Sequence, residues 1–167
     1  FSLINAFFGV REGDQLLQHI AGVFTRFAKQ REPGLLYGRI EADTFGLLMR
    51  YEEEKSLRTR LRRIDDDVRR YNVSFDISPT FGVYRVEDLT LPVDSMFDKA
   101  NLAAKQSKGH YLHTISFYTD QMGRTVEREQ QIMNEMNEAI RRDQFYVYLQ
   151  PKYNLQSHTL SGAEALV

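Results

Sequence analysis

Glu41-Ala42-Asp43 lies between two stretches that read as strands, Leu35 to Ile40 and Thr44 to Tyr51, so two carboxylates fall at the tip of a hairpin. Carboxylates presented together at a turn suit a hard cation, because Mg²⁺ takes oxygen ligands and completes its shell with water and substrate phosphates. The same residues also make an ordinary acidic turn, since aspartate tolerates tight backbone and solvent hydrates both charges. Spacing alone leaves both readings open. Other reactive-looking groups carry less. Arg58, Arg60, Arg62, Arg63, Arg69 and Arg70 crowd one helix, but Asp65-Asp66-Asp67 sits among them, which predicts a solvated face that pairs with itself rather than a nucleic-acid patch. His110 and His113 have no third ligand candidate and read as surface residues. Tyr111, Phe117 and Tyr118 read as packing for a late strand.

The elements that must hold the hairpin follow from periodicity. Phe1 to Ile4 reads as the end of a strand, and the abrupt start implies a segment cut from a longer protein. A helix is predicted from about Asp14 to Lys29, with Leu16, Leu17, Ile20, Val23, Phe24 and Phe27 on one face, stopping near Pro33-Gly34. A second helix carries Leu57, Leu61, Ile64, Val68 and Tyr71. Val73 to Ile77 and Thr80 to Arg85 read as strands. A third helix starts at Pro92-Val93, turns Val93, Phe97, Ala100 and Ala104 inward and ends near Gly109, and Tyr111 to Tyr118 is a last short strand. Helices and strands intermix, which predicts an α/β (α+β) sandwich with helices packed on one mostly antiparallel sheet.

After Asp120 the character changes. Asp120 to Asp143 is polar and helix-prone, with Val126, Met133, Met136 and Ile140 as a thin apolar stripe, and reads as a linker helix between two bodies. Phe145 to Leu149 reads as a strand that Gln150-Pro151-Lys152 breaks, and Leu160 to Val167 as its hairpin partner, truncated mid-pattern. The expected division is therefore a domain at 1–119, a linker helix at 120–143 and a first hairpin of another domain at 144–167.

Composition narrows the classes. The chain has 167 residues, 42% hydrophobic and 27% charged, which fits a globular domain rather than a disordered one. There is no cysteine, which excludes disulfides and thiolate chemistry and suits a cytoplasmic location, with an upstream membrane or sensor domain left open. No apolar run approaches the roughly 18 residues of a membrane span. The net charge of −1 gives no reason to expect nucleic acid.

Several spaced blocks together carry a resemblance. Phe1-x-x-Ile4-Asn5, Gly9, Gly13-Asp14 and Leu16-Leu17 resemble the first motif block of GGDEF domains, and Arg39-Ile40-Glu41-Ala42-Asp43-Thr44-Phe45 falls where that family has its arginine-led G-G-D/E-E-F hairpin. Asp98-Lys99-Ala100 and Ala104-Lys105-Gln106-Ser107-Lys108-Gly109 look like its late helix and the turn after it. The resemblance spans about Phe1 to Tyr118 and implies a nucleotidyl-cyclase-like, ferredoxin-like fold. Such domains join two GTP molecules into cyclic di-GMP across a dimer, with Mg²⁺ against the phosphates. It implies guanine contacts for Asn5 and Asp14, a metal ligand in Asp43 and a phosphate contact for Lys105. Read without the resemblance, Asn5 and Asp14 serve as helix caps, Lys105 as a solvated residue and Asp43 as a turn residue.

The departures are chemical. Glu41 and Ala42 replace the family's two glycines, and Glu41 sets bulk and negative charge where polyphosphate would sit. Thr44 replaces the second carboxylate, Ala6 the usual aspartate of the first block and Val10 its histidine. The arginine-led product-inhibition motif is replaced by Glu32-Pro33-Gly34-Leu35. Losing one metal carboxylate and placing another against phosphate removes several kcal/mol of transition-state stabilisation. The degenerate hairpin Glu41, Ala42, Asp43, Thr44, Phe45 is thus expected to hold no catalytic residue. Phe145 to Tyr153 with Gly162-Ala163-Glu164-Ala165-Leu166-Val167 resembles the opening hairpin of an EAL domain, a cyclic di-GMP phosphodiesterase. That implies a metal ligand in Glu164 and nucleotide contacts for Gln150 and Leu166. Three readings stand: an inactive regulatory domain, binding GTP with Mg²⁺ and controlling an adjoining phosphodiesterase; a nucleotide-independent docking or homodimer module; and an active diguanylate cyclase.

Overall fold

The computed structural model describes residues 1–73, 76–107 and 114–167. The chain divides into two units, Phe1–Met122 and Gly123–Val167. Among the described residues no helix is long and apolar enough to cross a membrane.

The first unit opens with helix α1, Ser2–Phe8, and helix α2, Val10–Gln30. The strand end expected at Phe1 to Ile4 is therefore helical, because a four-residue apolar run has no period of its own to separate strand from helix. Gly9 divides the two helices with φ 87° and ψ 158°, a conformation essentially confined to glycine, and its N–H still donates to Asn5 O at 3.1 Å. A hairpin follows, β1 at Leu36–Glu41 and β2 at Thr44–Leu48, paired antiparallel. Helix α3, Glu54–Arg69, buries Leu57, Leu61, Ile64 and Val68, the predicted face without Tyr71, which lies just past its end. Tyr71 instead donates to Glu12 Oε1 at 2.9 Å and stacks on His19, tying the start of α2 to the end of α3.

Strand β3, Phe81–Val83, runs parallel to β4, Ile115–Phe117. The strand expected over Val73 to Ile77 does not form at Val73, Asp76 or Ile77, and its middle lies outside the described residues. So do Lys108, Gly109, His110, Tyr111 and His113, with the expected end of the third helix and start of the last strand. Helix α4, Val93–Ser107, covers β3 and β4. Its inward line differs in part from the expected one. Val93 is exposed, while Ala103 and Ser107 are buried. Ala100 and Ala104 face inward as expected, against Gly82: a Cβ there would stand 1.8 Å from Ala100 O and 2.8 Å from Ala104 Cβ, so only small residues fit that seam. Phe117 packs into the core beneath the Arg58 guanidinium, and Lys99 lies over the rings of Tyr84 and Tyr118.

One core joins these pieces. Val23, Phe24 and Phe27 of α2 meet the α3 face, Leu35 and Ile115, with Phe45, Leu47 and Phe81 packed against them. The arginines of α3 pair as their spacing suggests: Arg58 with Glu54, Arg69 with Asp65 and Arg70 with Asp67.

Helix α5, Asp120–Arg141, runs from the first unit into the second. Beyond it β5, Tyr148–Tyr153, pairs antiparallel with β6, Leu160–Leu166. Here Gln150-Pro151-Lys152 does not break the strand, and Phe145 to Val147 precede it. A two-stranded hairpin leaves each strand one open edge, where the N–H that proline lacks is not needed. The described fold is thus mixed helix and strand with three two-stranded sheets, two antiparallel and one parallel.

Candidate functional site

The hairpin tip is built by its own strands. Arg39 faces Phe45 and Glu41 faces Thr44, so Ile40 is an extra residue on β1 and bulges out of the ladder. Its side chain lies over Gly46, where an added Cβ would come within 3.2 Å of it. Ala42 and Asp43 form the two-residue loop, and Ala42 has φ 40°. Positive φ at the first loop residue is the position where such hairpins favour glycine, because a Cβ there crowds the backbone. Arg39 braces the turn, donating from Nε to Ala42 O at 2.7 Å.

Phe45 anchors the tip to the body. Its ring meets Phe24 of α2 edge-on at 5.4 Å, Tyr37 flanks the Phe24 ring at 6.0 Å, and the Tyr37 hydroxyl hydrogen-bonds Thr25 Oγ1 at 2.8 Å. These contacts fix the hairpin's angle while Glu41, Ala42 and Asp43 remain in solvent. Thr44 is half-buried and offers a hydroxyl in place of a carboxylate.

A second group forms where α1 crosses the start of α2. Asn5 Oδ1 is buried and has no hydrogen-bond partner among the described residues. It occupies the space of a missing side chain, since a Cβ on Gly13 would stand 2.0 Å from it. Asp14 follows Gly13 and is exposed. The Phe1 ring edge lies 3.2 Å from the same Gly13 position. Asn5 and Gly13-Asp14 therefore come together where α1 meets α2. Lys105 is exposed in the last turn of α4, and no described contact joins it to them.

Among the described residues no cluster of three or more histidine, cysteine, aspartate or glutamate side chains could hold a metal by itself. Asp43, with Glu41 nearby on the tip, offers two carboxylates at most. That suits Mg²⁺ only as it is usually held, by one or two carboxylates with substrate phosphates supplying further oxygens. Glu32 is engaged elsewhere, accepting from Arg60 Nη1 at 2.6 Å with both side chains largely buried.

In the second unit, register brings Gln150 opposite Glu164 and Tyr148 opposite Leu166, so Gln150, Glu164 and Leu166 share one face of the hairpin. All three are exposed, and Glu164 pairs with Lys152 Nζ at 2.9 Å. Three features of the sites carried no sequence signal strong enough to find: the space Gly13 leaves for Asn5, the Ile40 bulge and the Glu32–Arg60 pair.

The family comparison agrees with this architecture. The model of the diguanylate cyclase GGDEF domain matches residues 1–111, and the chain belongs to that family. Membership places it in cyclic di-GMP signalling, among domains that bind GTP, commonly dimerise and generally use Mg²⁺ when they act as cyclases. No curated protein matches the chain.

Proposed function

We propose that this chain is a catalytically inactive GGDEF domain that binds GTP as a regulatory ligand and controls an adjoining EAL phosphodiesterase. The observation that carries the reading is the hairpin tip. Glu41 projects a charge where the family leaves room for phosphate, and Thr44 lacks the second carboxylate. In-line attack on an α-phosphate needs cations against that charge, and this tip adds an anion instead. Together the two changes would remove several kcal/mol of transition-state stabilisation, or orders of magnitude in rate.

Retention of the guanine side supports binding. A buried carbonyl without a partner carries a desolvation cost of about 1–3 kcal/mol, which a donor from water or a ligand would relieve. Asn5 Oδ1 is such a group, with exposed Asp14 beside it to accept the N–H groups of a guanine edge. Asp43 would hold Mg²⁺ shared with the nucleotide phosphates, and Lys105 would approach them from α4. The ion's contribution would be to screen phosphate charge. The ion pair of Glu32 with Arg60, in place of the family's product-inhibition arginine, supports the view that the feedback device of active cyclases is not built.

The downstream assignment rests on the Gln150-Pro151-Lys152 and Gly162 to Val167 hairpin, whose register sets Gln150 against Glu164. In the sequence, α5 lies between the two hairpins. Calorimetry with GTP and Mg²⁺ tests the binding half: heat is expected, and its loss in Asn5→Ala and Asp14→Ala. No heat at millimolar nucleotide would overturn it. A docking module without nucleotide is the second reading, favoured by the Glu41 charge. It predicts that both substitutions leave regulation of the downstream domain unchanged.

A further inference from the structure

Helix α5 has a face that the first two functional groups do not use. Met122, Val126, Glu129, Met133, Met136 and Ile140 recur at alternating spacings of four and three, the a and d positions of a heptad. Val126, Met133, Met136, Ile140 and the flanking Ile132 are 45% to 59% exposed. Every charged residue of α5 except Glu129 falls at an outer b, c or f position, where Glu138 pairs with Arg141 and Arg142. A helix covered by its own domain shows a broad apolar face, whereas a narrow a/d seam is the pattern of helix-on-helix pairing.

We infer that α5 pairs antiparallel with α5 of a second copy of this chain. Self-complementarity selects both the occupant and the direction. Antiparallel overlap sets Met122 against Ile140, Val126 against Met136 and Glu129 against Met133, so that each a position meets a d position. The Glu129 carboxylate then packs beside a methionine thioether and reaches past its flexible stem to solvent. Parallel overlap would set the two Glu129 carboxylates against each other in the seam. The antiparallel pair also brings the acidic start of one helix, at Asp120, beside the basic end of the other, at Arg141, and opposes the two helix dipoles. The seam runs along a helix of 22 residues, about 33 Å, and two of its six layers carry a Glu129 carboxylate, so the pairing is weak and concentration-dependent. It goes beyond the nucleotide reading and does not depend on it.

Sedimentation of the whole chain, without nucleotide, tests the inference. A reversible dimer is expected. Met133→Glu should raise its dissociation constant by at least about 30-fold, and Glu129→Met should lower it by about tenfold. Both positions are exposed, and circular dichroism checks that the fold is kept. The chain has no cysteine, so single-cysteine variants report direction cleanly. A mixture of Met122→Cys and Ile140→Cys chains should form the mixed disulfide, and neither variant alone should cross-link. A monomer at all concentrations, a dimer indifferent to Met133→Glu, or a Met122→Cys homodimer disulfide would each overturn the inference.

Discussion

Replacing Gly13 with alanine separates folding from nucleotide binding in one step. The new Cβ would stand 2.0 Å from Asn5 Oδ1 and 3.1 Å from its Cγ, so the amide must leave its slot. What it meets is the end of a flexible side chain, which can turn away, and the Phe1 ring edge at 3.2 Å need give only a few tenths of an ångström. Against that stand two gains. A helical glycine-to-alanine change stabilises by about 1 kcal/mol. Release of the unpartnered carbonyl relieves a desolvation cost of about 1–3 kcal/mol, offset by lost packing of the amide. The net expectation is a chain as stable as the parent, or up to about 2 kcal/mol more stable. At this length each kcal/mol shifts Tm by about 2–4 °C. GTP affinity should nonetheless fall by at least about tenfold, which is 1.4 kcal/mol or one hydrogen bond's worth. Thermal unfolding and calorimetry with GTP and Mg²⁺ read the two effects separately. The double variant Gly13→Ala with Asn5→Ala should lose no more affinity than either alone, because both remove the same contact. A Tm lowered by about 5 °C or more would show that Asn5 cannot leave the slot. Unchanged GTP affinity in a stable variant would show that Asn5 makes no guanine contact. Either result refutes the reasoning.

Other perturbations read other parts of the fold. Ala42→Gly should raise stability by about 1 kcal/mol in chemical denaturation, since it removes a Cβ from a positive-φ turn residue. Gly82→Ala should destabilise by about 3 kcal/mol or more, because the added carbon meets backbone atoms of α4 rather than a side chain that can move. Burial raises the Tyr71 pKa above its ordinary value, and its hydrogen bond to the Glu12 carboxylate adds to the shift. A raised folded pKa means the stability this hydroxyl contributes is whole below the ordinary tyrosine range near 10.0 and is lost as pH rises through the folded value. Denaturation midpoints of the parent should therefore fall more steeply than those of Tyr71→Phe above that range.

Much of the first unit was legible because its apolar residues keep a helical period. Leu57, Leu61, Ile64 and Val68 are buried as spaced, and the hairpin strands flank Ala42-Asp43 within a few residues of expectation. Two short stretches were misread where period cannot speak: Ser2 to Ile4 is helical, and Pro151 lies inside a strand because that strand has an open edge. On α4 the expected Ala100 and Ala104 do line the seam against Gly82, while Val93 is exposed and Ala103 and Ser107 are buried as well. At the site, the hairpin that carries Glu41, Ala42, Asp43 and Thr44 was legible from its flanking strands. The grouping of Asn5 with Gly13-Asp14 was not, since it depends on how α1 meets α2 across Gly9.

The central claim is that the tip no longer joins GTP into cyclic di-GMP. Chromatography of the protein carrying this chain, incubated with GTP and Mg²⁺, tests it most directly. The account predicts bound GTP that is recovered unreacted. Cyclic di-GMP formed at a steady rate, and abolished by Asp43→Ala, would contradict it.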